Sequence, residues 1–331
     1  MTESEPYTQL IKEVREKSQS FNPSPLIKRD FISLSDGQNE NMRKDNIFRI
    51  MQWNLLAQGL CQSSDGFILC PSAALNWCYR QYHILEELLS YSVDIFFLEE
   101  VDQFNYIKTC LEKINFDGLF LPKPDSPCLY EAENFGSDGC AIFWKKDKFE
   151  LISHDECILL NDAKKKTNQV SLICKFRDLA SGKVFMCAAT HLKSKPGYEN
   201  YRFQQGKYLE SILREKAAGL PLILCGDFNA EPSELVVQVM KSSELGFRSA
   251  YSNLSEDGQE PPYTTWKVRS GKSGKNEEAC HTIDYIFYTE KNIKCVKLLK
   301  LPTAEQIGPG RLPSYSYPSD HLSLAADFIL L

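Results

Sequence analysis

Long apolar runs are missing from this 331-residue sequence, and so are the cysteine spacings of metal-binding motifs. A bilayer-spanning helix needs about 20 consecutive apolar residues, so we expect no membrane partner. The 12 cysteines include no CxxC pair, and none lies at zinc-ligand spacing with a histidine. The sequence also opens without a secretory leader, so we expect a reducing, cytoplasmic setting in which the thiols stay unpaired.

Excess positive charge is missing too, since the net charge is −6 at pH 7. Proteins that hold long nucleic acids are usually basic, because phosphate neutralisation supplies their affinity. An acidic chain that acts on phosphates needs only a local positive pocket. We therefore expect weak or no direct RNA binding. The content of 43% hydrophobic and 25% charged residues is that of an ordinary globular protein.

Internal repeats and low-complexity tracts are absent, and one change in composition divides the chain. Residues 1–46 are polar and charged, with a short helical pattern at Leu10, Ile11 and Val14, so we predict a partly disordered tail. Its acidic start is unlike a mitochondrial presequence, and a mitochondrial form would need a different N-terminus. Residues 47–331 are predicted to form one folded domain.

From residue 47 onward, short apolar runs alternate with helical patterns. Eight or so strands with few long helices between them do not suit one doubly wound sheet. They predict an α/β fold, a four-layer α/β sandwich of two packed mixed β-sheets flanked by helices. Residues 250–275 are rich in Gly, Ser and Lys and predict a long loop. The predicted strands are 48–53, 93–98, 140–144, 170–176, 184–189, 221–225, 282–288 and 322–329.

Polar residues stand at the ends of several of these strands, where a rigid scaffold presents side chains to a cleft. Alone, each has an ordinary explanation as a turn or as a solvent-exposed residue. Five such strand ends carrying Asn, Glu, His and Asp are difficult to explain by packing alone, so we predict an active site. The residues are Asn54, Glu100, His191, Asp227 and, before the last strand, Asp320 and His321.

The residue types at these ends suit phosphate chemistry. Asp227 could orient or deprotonate a water and Asn229 could donate to a phosphate oxygen, if the strand continues and the i, i+2 spacing aims both one way. A turn at Gly-Asp-Phe-Asn is the alternative. The imidazolium of His321 could stabilise charge on a phosphoryl group, with Asp284 orienting the ring.

Two adjacent acids, Glu99 and Glu100, follow a buried apolar strand. Only one of them can face the cleft, because neighbouring strand residues face opposite sides. We predict that Glu100 faces the cleft, where a hard cation such as Mg²⁺ would offset the cost of burying its carboxylate. Lys193 and Lys195 follow His191 at alternate spacing that could aim both into one pocket.

Six segments together resemble the endonuclease/exonuclease/phosphatase superfamily, in the order of its motifs. Further stretches at 120–124, 126–129, 261–267 and 306–309 resemble one branch that is related to the poly(A) deadenylases. Glu99 departs from the pattern, where Gln is usual, and so does Lys195, where vertebrate members have Arg. The six segments are 51–57 (MQWNLLA), 97–102 (FLEEVD), 190–193 (THLK), 226–229 (GDFN), 281–286 (HTIDYI) and 319–322 (SDHL).

The resemblance implies a role for each residue. Glu100 would ligate Mg²⁺, with Mn²⁺ able to substitute, and Asp227 would orient the attacking water. His321, paired with Asp284, would stabilise the transition state, with Asp320 near the metal. The residues implied to hold the substrate are Asn54, Lys123, His191, Lys193, Lys195, Asn229, Lys267 and His321.

The activity implied for this branch is removal of the 2′-phosphate of NADP⁺ and NADPH by a monomer. The alternative is a 3′–5′ poly(A)-specific exoribonuclease acting on mRNA. The deadenylases compared here carry leucine-rich repeats before the nuclease domain, and residues 1–46 contain none. A third reading, a catalytically silent RNA-binding or scaffold module, is opposed by the intact Glu100, Asp227, Asn229 and His321.

Overall fold

The computed structural model describes residues 5–21, 24–34, 47–61, 66–132, 134–161, 163–270 and 276–331. Over these ranges two β-sheets pack face to face, and helices cover the outer face of each, which confirms the predicted four-layer sandwich. None of the helices described there has the length and apolar character needed to cross a bilayer. The helices are α1 (Glu5–Phe21), α2 (Trp77–Leu89), α3 (Phe104–Glu112), α4 (Glu199–Ala217), α5 (Leu235–Lys241) and α6 (Ala304–Ile307).

The described residues form two large sheets and, as a third and separate sheet, the two-stranded hairpin β11–β12. The first sheet has the order β1-β14-β15-β2-β3-β5-β4, and the second has the order β10-β13-β9-β8-β7-β6. Both are mixed, because β2 with β3 and β8 with β9 are parallel pairs. The strands are β1 (Phe31–Ser33), β2 (Ile47–Asn54), β3 (Ile95–Glu99), β4 (Phe116–Pro122), β5 (Gly139–Lys145), β6 (Phe149–Leu160), β7 (Lys166–Asp178), β8 (Val184–His191), β9 (Leu222–Asp227), β10 (Phe247–Ser249), β11 (Thr265–Ser270), β12 (Asn276–His281), β13 (Asp284–Thr289), β14 (Ile293–Leu299) and β15 (Leu324–Leu330).

The central strands bury apolar side chains on both faces, since alternate residues point to opposite sides of a sheet. On β2, Phe48 and Ile50 pack in the layer between the sheets, whereas Met51 and Trp53 pack with α1, α2 and α3. Strand β9 repeats the pattern toward α4 and α5. Burial on both faces explains why these strands read as continuous apolar runs that stop at a polar residue.

The N-terminal region differs from the predicted tail. Helix α1 covers the helical pattern but extends over 17 residues, and its Tyr7, Leu10 and Val14 are buried against the first sheet and α2. Strand β1 extends that sheet by pairing with β14. The polar composition was misleading because one apolar stripe is enough for an amphipathic helix to pack. Residues 1–4, 22–23 and 35–46, to which the prediction of partial disorder also applies, lie outside the described residues.

The predicted loop at 250–275 is wrong for residues 265–270, which form β11 and pair with β12. Thr265, Trp266 and Val268 are of the residue types that favour extended backbone, and the Gly, Ser and Lys around them obscured this signal. The segment 271–275 lies outside the described residues.

The topology brings the predicted strand ends to one edge. In the parallel pair β2–β3, Asn54 lies opposite Glu99, and in the pair β8–β9, His191 lies opposite Asp227. Strand β13 runs antiparallel to β9 and begins at this edge, so Asp284 lies opposite Asp227. The segment before β15 reaches the same edge, because β15 runs antiparallel to β2.

Candidate active site

The predicted residues converge on a cavity of about 730 Å³ at this edge. The volume is within the roughly 300–1,000 Å³ of small-ligand sites. Asn54 and Asp284 are buried behind the cavity wall and hydrogen-bond to residues that form it. The predicted residues that line the cavity are Glu100, Lys123, His191, Lys193, Lys195, Asp227, Asn229, Lys267, Asp320 and His321.

Asn54 links the two carboxylates of the site. Its Nδ2 donates to Glu100 Oε1 at 3.1 Å and to Asp227 Oδ2 at 3.0 Å, while its Oδ1 accepts from Leu56 N at 3.0 Å. Glu100 Oε2 accepts from Ala57 N at 3.2 Å. The amide therefore fixes the spacing between an acid of the first sheet and an acid of the second.

The adjacent acids Glu99 and Glu100 point to different places. Glu100 has a φ of 52°, which turns the chain out of β3 and places the side chain at the cavity. Glu99 is fully buried between the sheets, where Oε2 accepts from Gln52 Nε2 at 2.8 Å. Burial raises the pKa of Glu99 well above its usual range; the Gln52 hydrogen bond opposes this shift and the charge of Asp284 adds to it.

His321 is held by an acid on one side and faces acids on the other. Its Nδ1 lies 2.9 Å from Asp284 Oδ2, which also accepts from Thr264 Oγ1 at 2.6 Å. Its Nε2 lies 3.8 Å from Asp227 Oδ2 and 3.9 Å from Asp320 Oδ2. Burial alone would lower the pKa of His321, but the three carboxylates raise it to about 9. The ring is therefore a buried imidazolium at neutral pH.

Asp227 and Asn229 come together through a turn, the alternative that the sequence left open. Strand β9 ends at Asp227, Asn229 has a φ of 49°, and Asn229 N donates to Asp227 Oδ1 at 2.8 Å. Burial raises the pKa of Asp227 to about 7, and the charge of His321 opposes the rise. A buried carboxylate with a pKa near neutrality is suited to general-base chemistry.

His191 is a neutral ring beside these acids. Burial lowers its pKa well below the usual range, and the charge of Lys123 lowers it further. Its Nε2 lies 3.0 Å from Asn229 Nδ2, so Nε2 accepts and the proton sits on Nδ1. Among the described residues, this buried Nδ1 has no hydrogen-bond partner. An oxyanion bound here would satisfy an N–H that is otherwise costly to bury.

Cationic side chains surround the cavity, and several of them have acidic partners. Lys123 Nζ donates to Asp138 Oδ2 at 2.6 Å, and Lys267 Nζ bonds Asp320 Oδ2. Burial would raise the pKa of Asp320, but Lys267 and His321 hold it below the usual range. Lys193 lies over the ring of Tyr198, with Nζ 4.9 Å from its centroid. The cavity thus gathers several cations, together with the acids Glu131, Glu199, Glu231 and Glu234 in its lining.

Arg202 of α4 fixes the backbone that carries two of the lysines. Its Nη1 donates to Lys193 O at 3.1 Å and to Lys195 O at 3.0 Å. Its Nε and Nη2 form two parallel hydrogen bonds with Glu234, each 2.9 Å long. The guanidinium is nearly fully buried. It therefore supports the lysine loop and is not a free phosphate-binding group.

The donor set fits a hard divalent cation. Oxygen atoms of Glu100 and Asp227 lie within 4.8 Å of one another, and a nitrogen of His191 falls inside the same limit, although Asn229 already donates to Nε2 of that ring. Mg²⁺ is usually held by one or two carboxylates together with waters and substrate oxygens, whereas Zn²⁺ needs more nitrogen or sulfur ligands. A second group, Asp227, Asp284 and His321, meets the same distance limit, but its ring is already protonated and bound to Asp284. That group holds a proton in place of a metal.

Sequence reasoning missed two buried residues of the site, Gln52 and Thr264. Gln52 lies inside an apolar run, two positions before Asn54, and its Nε2 donates to Glu99 and, at 3.2 Å, to Asp284 Oδ1. A polar residue in a strand that is otherwise buried was the available signal. Thr264 lies just before β11, inside the predicted loop, so nothing in the pattern distinguished it. His281, the first residue of the segment 281–286, lies at the cavity rim beside Glu231.

Residues 51–321 match the family described as Endonuclease/Exonuclease/phosphatase. The chain therefore belongs to this family, whose members are hydrolases that generally require a divalent metal. Within the family it is 46% identical to Nocturnin of Xenopus laevis over 306 residues, which are 91% of this chain and 76% of that protein. It is also 46% identical to Nocturnin of Mus musculus, over 92% of this chain and 70% of that protein.

A more distant relative is the Ccr4 subunit of the CCR4-Not complex of Kluyveromyces lactis, a 3′–5′-exoribonuclease subunit. It is 26% identical over 90% of this chain and 43% of its own length. The higher identity to the nocturnins confirms the branch that residues 120–129, 261–267 and 306–309 indicated.

Solved structures agree with the fold. The human Nocturnin catalytic domain with a bound sulfate superposes with a TM-score of 0.76 at 38% identity, over 93% of this chain and all of that one. ANGEL2, a 2′,3′-cyclic phosphatase solved with adenosine-2′,3′-vanadate, gives a TM-score of 0.74 at 23% identity, over 92% and 99% of the two chains. At that identity the second likeness shows the fold alone.

Proposed function

We propose that this chain is a Mg²⁺-dependent phosphatase that removes the 2′-phosphate of NADP⁺ and NADPH and leaves NAD⁺ and NADH. The observation that carries the proposal is the placement of four lysines, Lys123, Lys193, Lys195 and Lys267, around one compact cavity. A dinucleotide with three phosphates offers several negative charges over a short distance, which suits such a ring of cations. The sulfate bound by the human relative is a tetrahedral oxyanion like the phosphate to be removed.

The reacting groups are arranged for attack of water on a phosphate monoester. Asp227 would orient the water and take its proton as the water oxygen bonds to phosphorus and the bond from phosphorus to the 2′-oxygen breaks. The departing 2′-oxygen would take up a proton from solvent. The imidazolium of His321, which lies next to Asp227, would offset the negative charge that develops on the phosphoryl oxygens. His191 would hold one of those oxygens through its Nδ1–H, which has no partner among the described residues. The side-chain N–H groups of Asn54 are already donated to Glu100 and Asp227, and those of Asn229 to His191 and Leu192 O, so these two amides would position the reacting groups.

Glu100 and Asp227 would hold Mg²⁺ through carboxylate oxygens, with Mn²⁺ able to substitute. When bound, the cation neutralises phosphate charge and polarises the phosphorus–oxygen bond. Asn54 orients both carboxylates through its Nδ2, so it would support the metal site. These roles are proposals for this chain.

The second candidate is a 3′–5′ exoribonuclease that shortens poly(A), which the similarity to Ccr4 favours. The same groups could cleave a phosphodiester. Against this candidate, the net charge is −6, and an acidic chain is poorly suited to hold a long polyanion. The lysines around the cavity suit a short, highly charged ligand better.

A direct assay separates the two. Purified protein with Mg²⁺ is given NADP⁺, NADPH or a 5′-labelled adenine oligomer, and inorganic phosphate, NAD(H) and oligomer length are measured in parallel. The proposal predicts stoichiometric release of phosphate and NAD(H) from NADP(H), with the oligomer intact and all turnover lost in EDTA.

Two variants serve as controls in the same assay. Asp227→Asn keeps the shape of the side chain and should lose turnover, whereas His281→Gln, at the cavity rim, should keep it. If NADP(H) is untouched while the oligomer shortens, the dinucleotide activity is wrong and the exoribonuclease takes its place.

A further inference from the structure

The segment that carries Asp320 and His321 lies between α6 and β15. We call residues 317–323 the catalytic segment. Buried side chains bind its backbone: Arg80 Nε donates to Pro318 O and Trp53 Nε1 donates to His321 O, each at 2.7 Å. Ser319 Oγ donates to Asn54 O at 2.6 Å. The position of His321 is therefore the sum of contacts made by the segment with its surroundings.

One of the strongest of these contacts comes from Arg29, which precedes β1 and lies outside the matched family region at 51–321. Its Nη1 donates to Ser323 O at 2.8 Å, and its Nη2 bonds both Ser323 Oγ and Glu87 Oε1. The backbone beside it also joins the two regions, since Ile27 N donates to Ser316 O at 3.2 Å. The N-terminal residues thus bind the catalytic segment at both of its ends.

The acid of α2 completes the arrangement. Glu87 Oε1 accepts from Tyr317 OH at 3.1 Å and from Ser323 Oγ at 2.8 Å, and Ser323 N donates to Tyr317 OH at 2.9 Å. The side chains of Arg29 and Glu87 are each 1% exposed. Tyr317 and Ser323 are three residues before Asp320 and two residues after His321. The buried charge pair therefore contacts the chain on both sides of Asp320 and His321.

Stability alone does not account for a charge pair at this place. Burying two charges costs hydration free energy that their attraction barely repays, and apolar replacements of both partners are often neutral or stabilising. A guanidinium offers what an apolar contact does not, which is two donors in a rigid plane. Here that plane binds a main-chain and a side-chain oxygen of the same residue, Ser323, and so fixes it in two directions.

We propose that Arg29 is a positioning residue for catalysis: through Ser323 it fixes the catalytic segment so that the His321 ring stays aligned with Asp227. The N-terminal residues then contribute to catalysis, although none of those that the structure describes, 5–21 and 24–34, lines the cavity. The inference rests on the proposed function only for the choice of substrate, because the same alignment serves any phosphoester that the site cleaves.

The test uses a double variant, Arg29→Met/Glu87→Gln, in the full chain. It removes both charges and keeps an acceptor for Tyr317 and Ser323, so no buried ion is left unpaired. We expect kcat to fall roughly 10- to 100-fold, the usual effect of a small misplacement of a reacting group, with KM within about twofold. Amide hydrogen exchange in residues 317–323 should become faster. This second readout needs no substrate.

A matched control is the ion pair between Arg49 of β2 and Asp327 of β15, which lies in the same sheet near the start of β2. Arg49→Met/Asp327→Asn removes a comparable ion pair and should leave kcat and exchange in 317–323 unchanged. Arg29→Lys keeps the charge but has one nitrogen in place of a fork, so it should fold and still lose part of kcat. That variant decides the question if the double variant does not fold.

The outcomes are distinct from a failure of the proposed function. Kinetics are measured on whichever of NADP⁺ and the adenine oligomer the unsubstituted chain cleaves. If NADP⁺ is inert but the oligomer reports a lower kcat and faster exchange, the positioning role stands and the dinucleotide activity falls. If the double variant or Arg29→Lys folds and keeps full kcat, or if the control pair loses as much, Arg29 only stabilises the fold.

Discussion

Gln52 Nε2 lies 2.8 Å from Glu99 Oε2 and 3.2 Å from Asp284 Oδ1, so one buried amide of the first sheet joins an acid of the same sheet to an acid of the second. Asp284 in turn holds His321. Glu99 Oε1 and Gln52 Oε1 have no hydrogen-bond partner among the described residues. A carboxylate in this position has lost its water without gaining a cation, which is why burial raises the pKa of Glu99.

Glu99→Gln should therefore stabilise the protein above pH 5 and leave it active. A carboxyl whose pKa is raised on folding contributes stability below its unfolded value and loses it as the pH rises toward the folded value. The amide variant does not have this loss, so its Tm should equal that of the parent near pH 4.5 and exceed it at pH 8. The expected difference is roughly 2 °C, the response to about 1 kcal/mol in a domain of this size.

The neighbouring substitution gives the contrast. Glu100→Gln should reduce kcat by more than roughly 100-fold, since even outer-shell partners of metal ligands commonly cost 10- to 100-fold. Equal loss of activity in the two variants would mean that Glu99 also takes part in the reaction, and melting curves from pH 4.5 to 8 would show whether its burial has any effect.

The buried amide of Gln52 also shows where prediction from the sequence reaches its limit. Polar residues at the ends of apolar runs identified Asn54, Glu100 and Asp227, because a strand end is a local feature. Gln52 and Asp284 are 232 positions apart, and their contact exists only once two sheets pack. The same limit explains Arg29, whose positive charge between Lys28 and Asp30 gives no sign that it is buried against Glu87.

His321 should impose an upper limit on the pH range of activity. The three carboxylates around it raise its pKa to about 9, so the imidazolium is present at neutral pH and is lost as the pH rises through 9. The stability that this shift contributes is fully present below pH 6.5, declines as the pH rises from 6.5 to 9, and is absent above pH 9. A profile of kcat from pH 6 to 10 should therefore fall on the alkaline side near pH 9.

His321→Gln tests whether His321 causes the fall of kcat at alkaline pH. It should reduce kcat by roughly 100- to 1,000-fold, as loss of a charge-stabilising donor does, and abolish the alkaline decline. Circular dichroism at each pH separates loss of the ring charge from unfolding. If kcat of the parent and of the variant declines at the same pH, another group causes the alkaline decline.

Arg202→Lys should weaken substrate binding although Arg202 lies behind the lysine loop. An ammonium cannot make two bonds to Glu234 and also bind the carbonyls of Lys193 and Lys195. We expect KM for NADP(H) to rise by roughly 10-fold because the lysines are displaced, with a smaller change in kcat. Arg214→Lys is the control on the same helix, where the half-exposed guanidinium pairs with Glu244. A similar rise of KM in both variants would argue against a role of the Lys193–Lys195 backbone in substrate binding.

Lys195 is expected to determine affinity more than rate. It lines the cavity from a residue with a φ of 81°, a backbone that Arg202 holds through the carbonyl oxygen. Lys195→Ala should raise KM for NADP(H) roughly 10-fold, the loss of one charge-assisted hydrogen bond of about 1.5 kcal/mol, with little change in kcat.

Lys195→Arg is the informative partner of that variant. A planar fork can bind two phosphate oxygens where an ammonium binds as a point charge, so KM should fall below that of the parent. Lys291→Ala, exposed beyond the end of β13 that lies farthest from Asp284, controls for the loss of one positive charge and should change neither constant. An unchanged KM in Lys195→Ala would remove this lysine from the substrate pocket, whereas a matching fall in kcat would place it at the transferring phosphate.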